Sequence, residues 1–238
     1  YGLSLPEYLS QVDKRQTDCM MLYEKYCEVR DWFGKLDYVL DLADNCDGWN
    51  PAERGADRTA EEVRQLEIAA KALKMLRGSP KFCFVKGSHY HGGDLRLDER
   101  LAEEMHGVLE STHYGVRAPP ERTVTIENVS FHMAHHISVS KSTWQYQSTP
   151  IAREEVLAVL NENPAHVVLR GHAHYFVYTG YTDHLGVVVP GFSTKTMFQG
   201  FVSPLGQYRI GGLHFEVDDD EFDCHKMVWK TKPVVQKI

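Results

Sequence analysis

Four times along this chain a short apolar run that reads as a strand empties into aspartate, glycine or histidine, and that recurrence restricts the fold more than any single motif. The runs are Leu36 to Leu42, ending at Asp44; Phe82 to Val85, ending in Gly87-Ser88-His89-Tyr90-His91; Val129 to His132, ending in Met133-Ala134-His135-His136; and Val167-Val168-Leu169-Arg170, ending in Gly171-His172-Ala173-His174. Short strands that alternate with helical periodicity build a layered α/β domain, and in such domains strand ends on one sheet edge converge in space. Glycine lets the chain turn sharply at an exit and brings the next side chains close to a bound ion. Two imidazoles one residue apart, as at His172 and His174, can offer nitrogens to neighbouring coordination positions. An isolated His-x-His is as readily a pair of solvated loop histidines, so the fourfold repetition is what favours a metal site.

The intervening segments are helical by their spacing. Leu9, Val12, Cys19, Met20, Tyr23, Tyr26 and Cys27 recur at intervals of mostly three, four and seven, which predicts a helix over 5–33 stopped by Gly34. A second helix is expected over 59–76, with Thr59 as N-cap, Glu61 and Glu62 in its first turn and Gly78-Ser79-Pro80 at its end. Further helices are expected over 94–106 and 149–161, the latter opened by Thr149-Pro150. The runs 123–126 and 129–132 form a hairpin around Glu127-Asn128, and 176–181, 186–189, 208–217 and 222–229 read as strands after His174.

The 238 residues, 42% hydrophobic, suffice for one large core, and no linker divides them, so a single domain is expected. Five scattered cysteines without a Cys-x-x-Cys pair argue against a disulfide framework and against a cysteine zinc site, and they point to free thiols in a reducing cytoplasm. No apolar run approaches the roughly 20 residues that span a bilayer, so no membrane partner is expected. A net charge of -7 disfavours a long non-specific nucleic-acid footprint while leaving room for a local basic groove. Carboxylate and imidazole donors with no thiolate suit Mn²⁺, Fe, Zn²⁺, Ni²⁺ or Co²⁺, and a bridging carboxylate can hold two such ions about 3.5–4 Å apart.

The order Asp44-x-x-Asp47-Gly48, Gly87-Ser88-His89, His135, Gly171-His172-Ala173-His174 resembles the calcineurin-like metallophosphoesterases, in particular their bacterial and phage-associated branch. The resemblance runs from about Val39 to Thr196. It implies a four-layer sandwich of two mixed β-sheets flanked by helices, with two divalent transition metal ions, manganese among the candidates, at the strand ends. Asp44 would be shared by both ions, His135 and His172 would complete one, and His174 would belong to the other. The implied activity is hydrolysis of phosphate esters by metal-activated hydroxide, with phosphodiester, nucleic-acid or nucleotide substrates ahead of phosphomonoesters. His89, in register with the family block, or His91 two residues on would protonate the leaving oxygen; His89 is preferred as donor and His91 as ligand or substrate contact. His132 and His136 are read as outer neighbours, Asp47 as a partner of a ligand histidine or of the turn backbone, and Tyr90, Tyr175 and Phe176 as packing rather than a pocket.

Three departures weaken the resemblance. Nothing upstream of Asp44 supplies the family's first Asp-x-His, so the chain is expected to lack that N-terminal strand, with position 1 not the natural start. The only Asp-x-His, Asp223-Cys224-His225, follows the acidic run from Asp218 to Glu221 and is read as coincidence. Ser88 stands where the family has a ligating asparagine, and Ala43 stands for the glycine before the shared aspartate, a tolerable change if φ there is negative. The position built on Asp44 and His174 should therefore be weak, and at most one ion should be held tightly. A non-catalytic or accessory module with an incomplete metal site is the alternative function.

Overall fold

The computed structural model describes residues 5–8, 16–46, 48, 62–92, 96–109, 114–138, 147–162, 164–180, 183–193 and 208–231. Asp47, Thr59, Glu61 and the linking Asn163 lie outside them. In chain order the elements are a short 3-10 turn at Pro6–Tyr8, then α1 (Gln16–Phe33), β1 (Lys35–Asp41), α2 (Glu62–Lys74), β2 (Arg77–Phe84), α3 (His89–Gly92) and α4 (Leu97–Glu104). There follow β3 (Glu121–Ile126), β4 (Val129–Ala134), α5 (Thr149–Leu160), β5 (Val167–Arg170), β6 (Val177–Gly180), β7 (Leu185–Val188), β8 (Arg209–Asp218) and β9 (Glu221–Lys230).

The strands form a five-stranded mixed sheet in the order β3-β4-β5-β7-β6, a parallel pair β1-β2 and an antiparallel ribbon β8-β9. Alternation of side chains across each strand sorts them into layers. Phe131, Met133, Val167 and Leu169 of the five-stranded sheet meet Cys83 and Val85 at the end of β2, with Leu213, Phe215 and Val217 of β8 and Phe222 of β9 packed on the same cluster. The next residue along, Val168, points the other way and packs with Ile151 of α5 and Val188 of β7. On β2 the alternate residues Phe82 and Phe84 face Ala69, Ala70 and Leu73 of α2 and Leu97 and Leu101 of α4. The layers are therefore helices, the β1-β2 and β8-β9 pairs, the five-stranded sheet, and α5. This is the four-layer α/β sandwich that the resemblance implied, its second sheet layer present as two separate pairs among the described residues.

The differences from the expected elements have local causes. Pro6–Tyr8 form a 3-10 turn and α1 is described over Gln16–Phe33, so the helix expected from 5 does not start there. Gly78, Ser79 and Pro80 lie inside β2 and do not close α2; Lys35 and Leu36 of β1 pair with Arg77 and Gly78, so sheet pairing overrides their turn-forming character. The helix expected over 94–106 is α4, confined to 97–104, with His89 and His91 on the separate short α3. No disulfide joins cysteines among the described residues, and no helix among them is long and apolar enough to cross a membrane.

Candidate metal centre

Strands β4 and β5 run parallel in register, Ala134 beside Arg170, so their exits leave the sheet together, and the Gly171 N–H donates to the carbonyl of His135 at 3.0 Å. Strands β1 and β2 are likewise parallel, with Asp41 beside Phe84, and their exits deliver Asp44 and Ser88 to the same place. There one carboxylate oxygen of Asp44 and one ring nitrogen from each of His135 and His172 lie within 4.8 Å of one another. His135 Nε2 is 2.8 Å from Asp44 Oδ2, and His172 Nδ1 is 3.3 Å from His135 Nε2.

Each of these side chains is held from behind. The Nδ1–H of His135 donates to the carbonyl of Leu42 at 2.5 Å, which turns Nε2 toward Asp44. The Ser88 N–H donates to Asp44 Oδ1 at 2.7 Å, and the Ser88 hydroxyl is 3.2 and 3.1 Å from the two carboxylate oxygens. Gly87 is required by this close approach, because a Cβ there would stand 2.1 Å from Asp44 Oδ1. At Gly171 a Cβ would press on His135 Nδ1 at 3.2 Å. The Gly87 N–H donates to Oδ2 of the buried Asp98 at 2.9 Å, which anchors the turn that carries Ser88.

Backbone strain collects at the same exits. Ala43, Asp44, His172 and His174 have φ of 69°, 55°, 65° and 55°. For a residue with a Cβ the left-handed region costs roughly 1–2 kcal/mol, and such strain persists where surrounding contacts over-determine it, characteristically at functional sites. The negative φ that would have made Ala43 an easy replacement for glycine is not found. Its N–H instead donates to Asp41 Oδ1 at 2.8 Å, so the bend is held by the carboxylate that ends β1.

Charge follows from burial and pairing. Burial works to raise the Asp44 carboxyl, but the hydrogen bond and charge of His135, helped by His91 and the Ser88 N–H, outweigh it and hold the group well below the usual carboxylate range. Burial works against a charged His135, yet the Asp44 hydrogen bond and charge prevail and raise its imidazole. His172 is exposed as a residue, but the part of its ring that is out of water, with the charge of His135 and His136, lowers it to about 4. Burial lowers His174 to about 4 as well. Near neutral pH the group thus holds the Asp44 carboxylate and the neutral His172 imidazole, with neutral His174 in the same loop, while the proton on His135 Nε2 lies where a cation would replace it. Burial also pushes Asp98 up to about 6, with the charge of Asp44 acting in the same direction.

Of the residues expected at the site, Asp44, His135 and His172 are brought together. His174 is half-buried in the same loop; its Nδ1 is buried without a partner among the described residues, and Gly191 lies against its ring. His91 Nε2 is 3.9 Å from Asp44 Oδ2, and its Nδ1 is also buried without a partner among the described residues. His89 is exposed on α3 and is not in the group. The His136 ring stands 5.1 Å from that of His135 and 5.0 Å from that of His172, the outer neighbour expected. His132 instead faces Arg170 and Glu121. Tyr175 is buried against Ile151 and Val168, as packing. The sequence reading missed Ser88 as the support of Asp44, and it missed Asp98. Asp98 precedes Leu101 and Ala102 by three and four positions, so it shares their buried helix face, and that spacing was a readable signal.

Compared with known protein families and with curated proteins, the sequence matches none. Among solved structures, Vps29 from Entamoeba histolytica complexed with Zn²⁺ is 11% identical with a TM-score of 0.44, covering 96% of this chain and 95% of that one. Vps29 from Chaetomium thermophilum is 12% identical, TM-score 0.43, over 88% and 87%. An archaeal phosphodiesterase is 12% identical, TM-score 0.37, over 81% and 99%. At these identities and scores, the arrangement of this chain's own side chains has to carry any function.

Proposed function

We propose that Asp44, His135 and His172 hold a divalent transition metal and that the chain is a metallophosphoesterase-type hydrolase. The observation that supports this reading is the convergence, within 4.8 Å, of one carboxylate and two imidazoles from three different strand exits. Their donor chemistry fits a borderline divalent ion such as Zn²⁺ or Mn²⁺. The buried Nδ1 atoms of His91 and His174, without a hydrogen-bond partner among the described residues, are further imidazole nitrogens beside this group. A bound divalent ion would supply charge neutralisation for a phosphate group and a lowered pKa for attacking water.

The protein's own residues do the positioning. Ser88 and His135 fix the Asp44 carboxylate, and the Leu42 carbonyl fixes the orientation of His135. In this reading His91, 3.9 Å from Asp44, contacts a substrate oxygen, and His89, exposed on the same short helix, gives a proton to the leaving group. Phosphate diesters, including nucleotides and nucleic acid, are the preferred substrate class. Turnover of a bis-aryl phosphate with added Mn²⁺ or Zn²⁺, abolished by Asp44→Ala and by His172→Ala, tests the proposal; equal turnover in both variants would overturn it.

One observation favours an accessory, metal-binding but non-catalytic role. Ser88, at the position of a ligating asparagine in the resembling family, is already bonded to both oxygens of Asp44. Full metal binding without turnover on any phosphate ester would select that reading.

A further inference from the structure

The ribbon β8-β9 carries chemistry that the strand-edge group does not use. Its ten-residue strands pair with His214 opposite His225 and Glu216 opposite Asp223. Because side chains alternate, Leu213, Phe215, Val217 and Phe222 enter the sandwich core while His214, Glu216, Asp223 and His225 share the outer face. Asp223-Cys224-His225 is thus a strand spacing that puts both donors on one surface, and His214-Phe215-Glu216 on the antiparallel partner repeats it in mirror order.

The donors are neighbours without being gathered to one point, and they do not come within 4.8 Å of one another as the strand-edge group does. The His214 and His225 ring centres are 6.3 Å apart, and His225 Nε2 is 3.8 Å from Glu216 Oε1. Two imidazoles that share one ion at about 2.0–2.1 Å hold their ring centres roughly 5–6 Å apart, a side-chain adjustment from what is seen. Trp32 and Phe33, at the end of α1, stand edge-on to His214 at 5.9 and 6.0 Å and cover one side of it.

A second observation points to a cation. Carboxylates directly opposite one another destabilise a strand pair; here Glu216 faces Asp223, and the next pair outward, Asp218 with Glu221, is acidic again. No lysine or arginine occupies an outer-face position between Gly212 and Asp218 or between Glu221 and Met227. Cys224 alternates to the inner face opposite Phe215, which leaves a donor set of imidazole and carboxylate.

We infer that His214, His225 and Glu216, with Asp223 beside them, bind a borderline divalent cation of the Zn²⁺, Ni²⁺ or Cu²⁺ class at a site separate from the strand-edge group. This ion clamps β8 to β9 beside the end of α1. The proposal stands independently of the strand-edge reading.

Calorimetric titration of the whole 238-residue chain with Zn²⁺ alone tests it. In an Asp44→Ala/His172→Ala background one zinc equivalent should remain, and adding His225→Ala or His214→Gln should weaken it at least about tenfold. No zinc binding in the background, or binding untouched by both ribbon substitutions, would overturn the inference. Should the background fail to fold by circular dichroism, the comparison is wild type against His225→Ala, which should lose one class of zinc site; identical isotherms would overturn the proposal. Failure of the strand-edge reading looks different: Asp44→Ala would then bind as wild type does, while His225→Ala would still lose its zinc.

Discussion

The strand-edge group and the β8-β9 ribbon use the same donors, imidazole and carboxylate, in opposite settings. At the strand edge they follow three strands, with Asp44 and His172 on left-handed backbone, and Leu42, Ser88 and Asp98 hold either the ligands or the turn that supports them. On the ribbon they sit on regular strands with the half-exposed His225 beside the more exposed Glu216, and no strain is spent on aiming them. The difference teaches where affinity comes from. A group pre-aimed by supporting contacts loses little freedom when an ion enters, whereas exposed side chains on a flat face must be ordered by the ion itself. The strand edge should be the tight site and the ribbon the weak one.

The largest expected effect tests that ranking. His172→Ala should weaken strand-edge Zn²⁺ binding by more than the roughly 10–100-fold that loss of a supporting partner costs, with Ser88→Ala falling inside that range and His225→Ala leaving this site unchanged. Equilibrium titration against a competing chelator would show it, and equal losses in His172→Ala and Ser88→Ala would erase the distinction between ligand and support.

Next in size is the cost of burying Asp98. Its folded pKa is raised from 3.8 to about 6, so its contribution to stability is present below about pH 4 and is lost as pH rises through about 6. Near neutral pH the charged form therefore costs about 3 kcal/mol, and Asp98→Asn, which keeps an acceptor for the Gly87 N–H, should recover much of that and flatten the slope between pH 4 and 6. Urea unfolding across that range in the presence of a chelator is the measurement, and an unchanged slope would remove Asp98 from the account.

Backbone strain comes third. Ala43→Gly should stabilise the protein by about 1 kcal/mol, because glycine adopts the left-handed turn without the Cβ penalty; the ribbon's donor residues themselves carry no positive φ, the left-handed Asp219 lying in its turn. Smallest is the ribbon's own repulsion: in metal-free protein Glu216→Gln should raise stability by roughly 0.2–1 kcal/mol, and the same change should weaken Zn²⁺ binding there.

The two regions also differ in how far they were legible from residue order. Apolar runs ending in glycine and histidine located the strand exits of β1, β2, β4 and β5, because buried parallel strands advertise themselves and ligands must follow them. Val167 to Leu169 is buried, as its composition foretells, whereas the burial of Arg170 depends on its pairing with Glu154. What residue order could not convey was pairing. Gly78 to Pro80 read as a helix stop because turn chemistry is local, whereas their place in β2 depends on β1 beside it. The Ala43 conformation was misjudged for the same reason, since the Asp41 carboxylate that stabilises the turn acts through the fold. Asp223-Cys224-His225 looked accidental until the register set His214 and Glu216 against it; a period-two spacing gains meaning only with a known partner strand.

The central claim is that Asp44, His135 and His172 form the tight metal site. Titration of metal-free protein with Zn²⁺ against a chelator of known affinity, in wild type and Asp44→Ala, tests it most directly. The account predicts a tight and a weak class in wild type, with the tight class gone and the weak one intact in Asp44→Ala. A tight class unchanged by Asp44→Ala would contradict it.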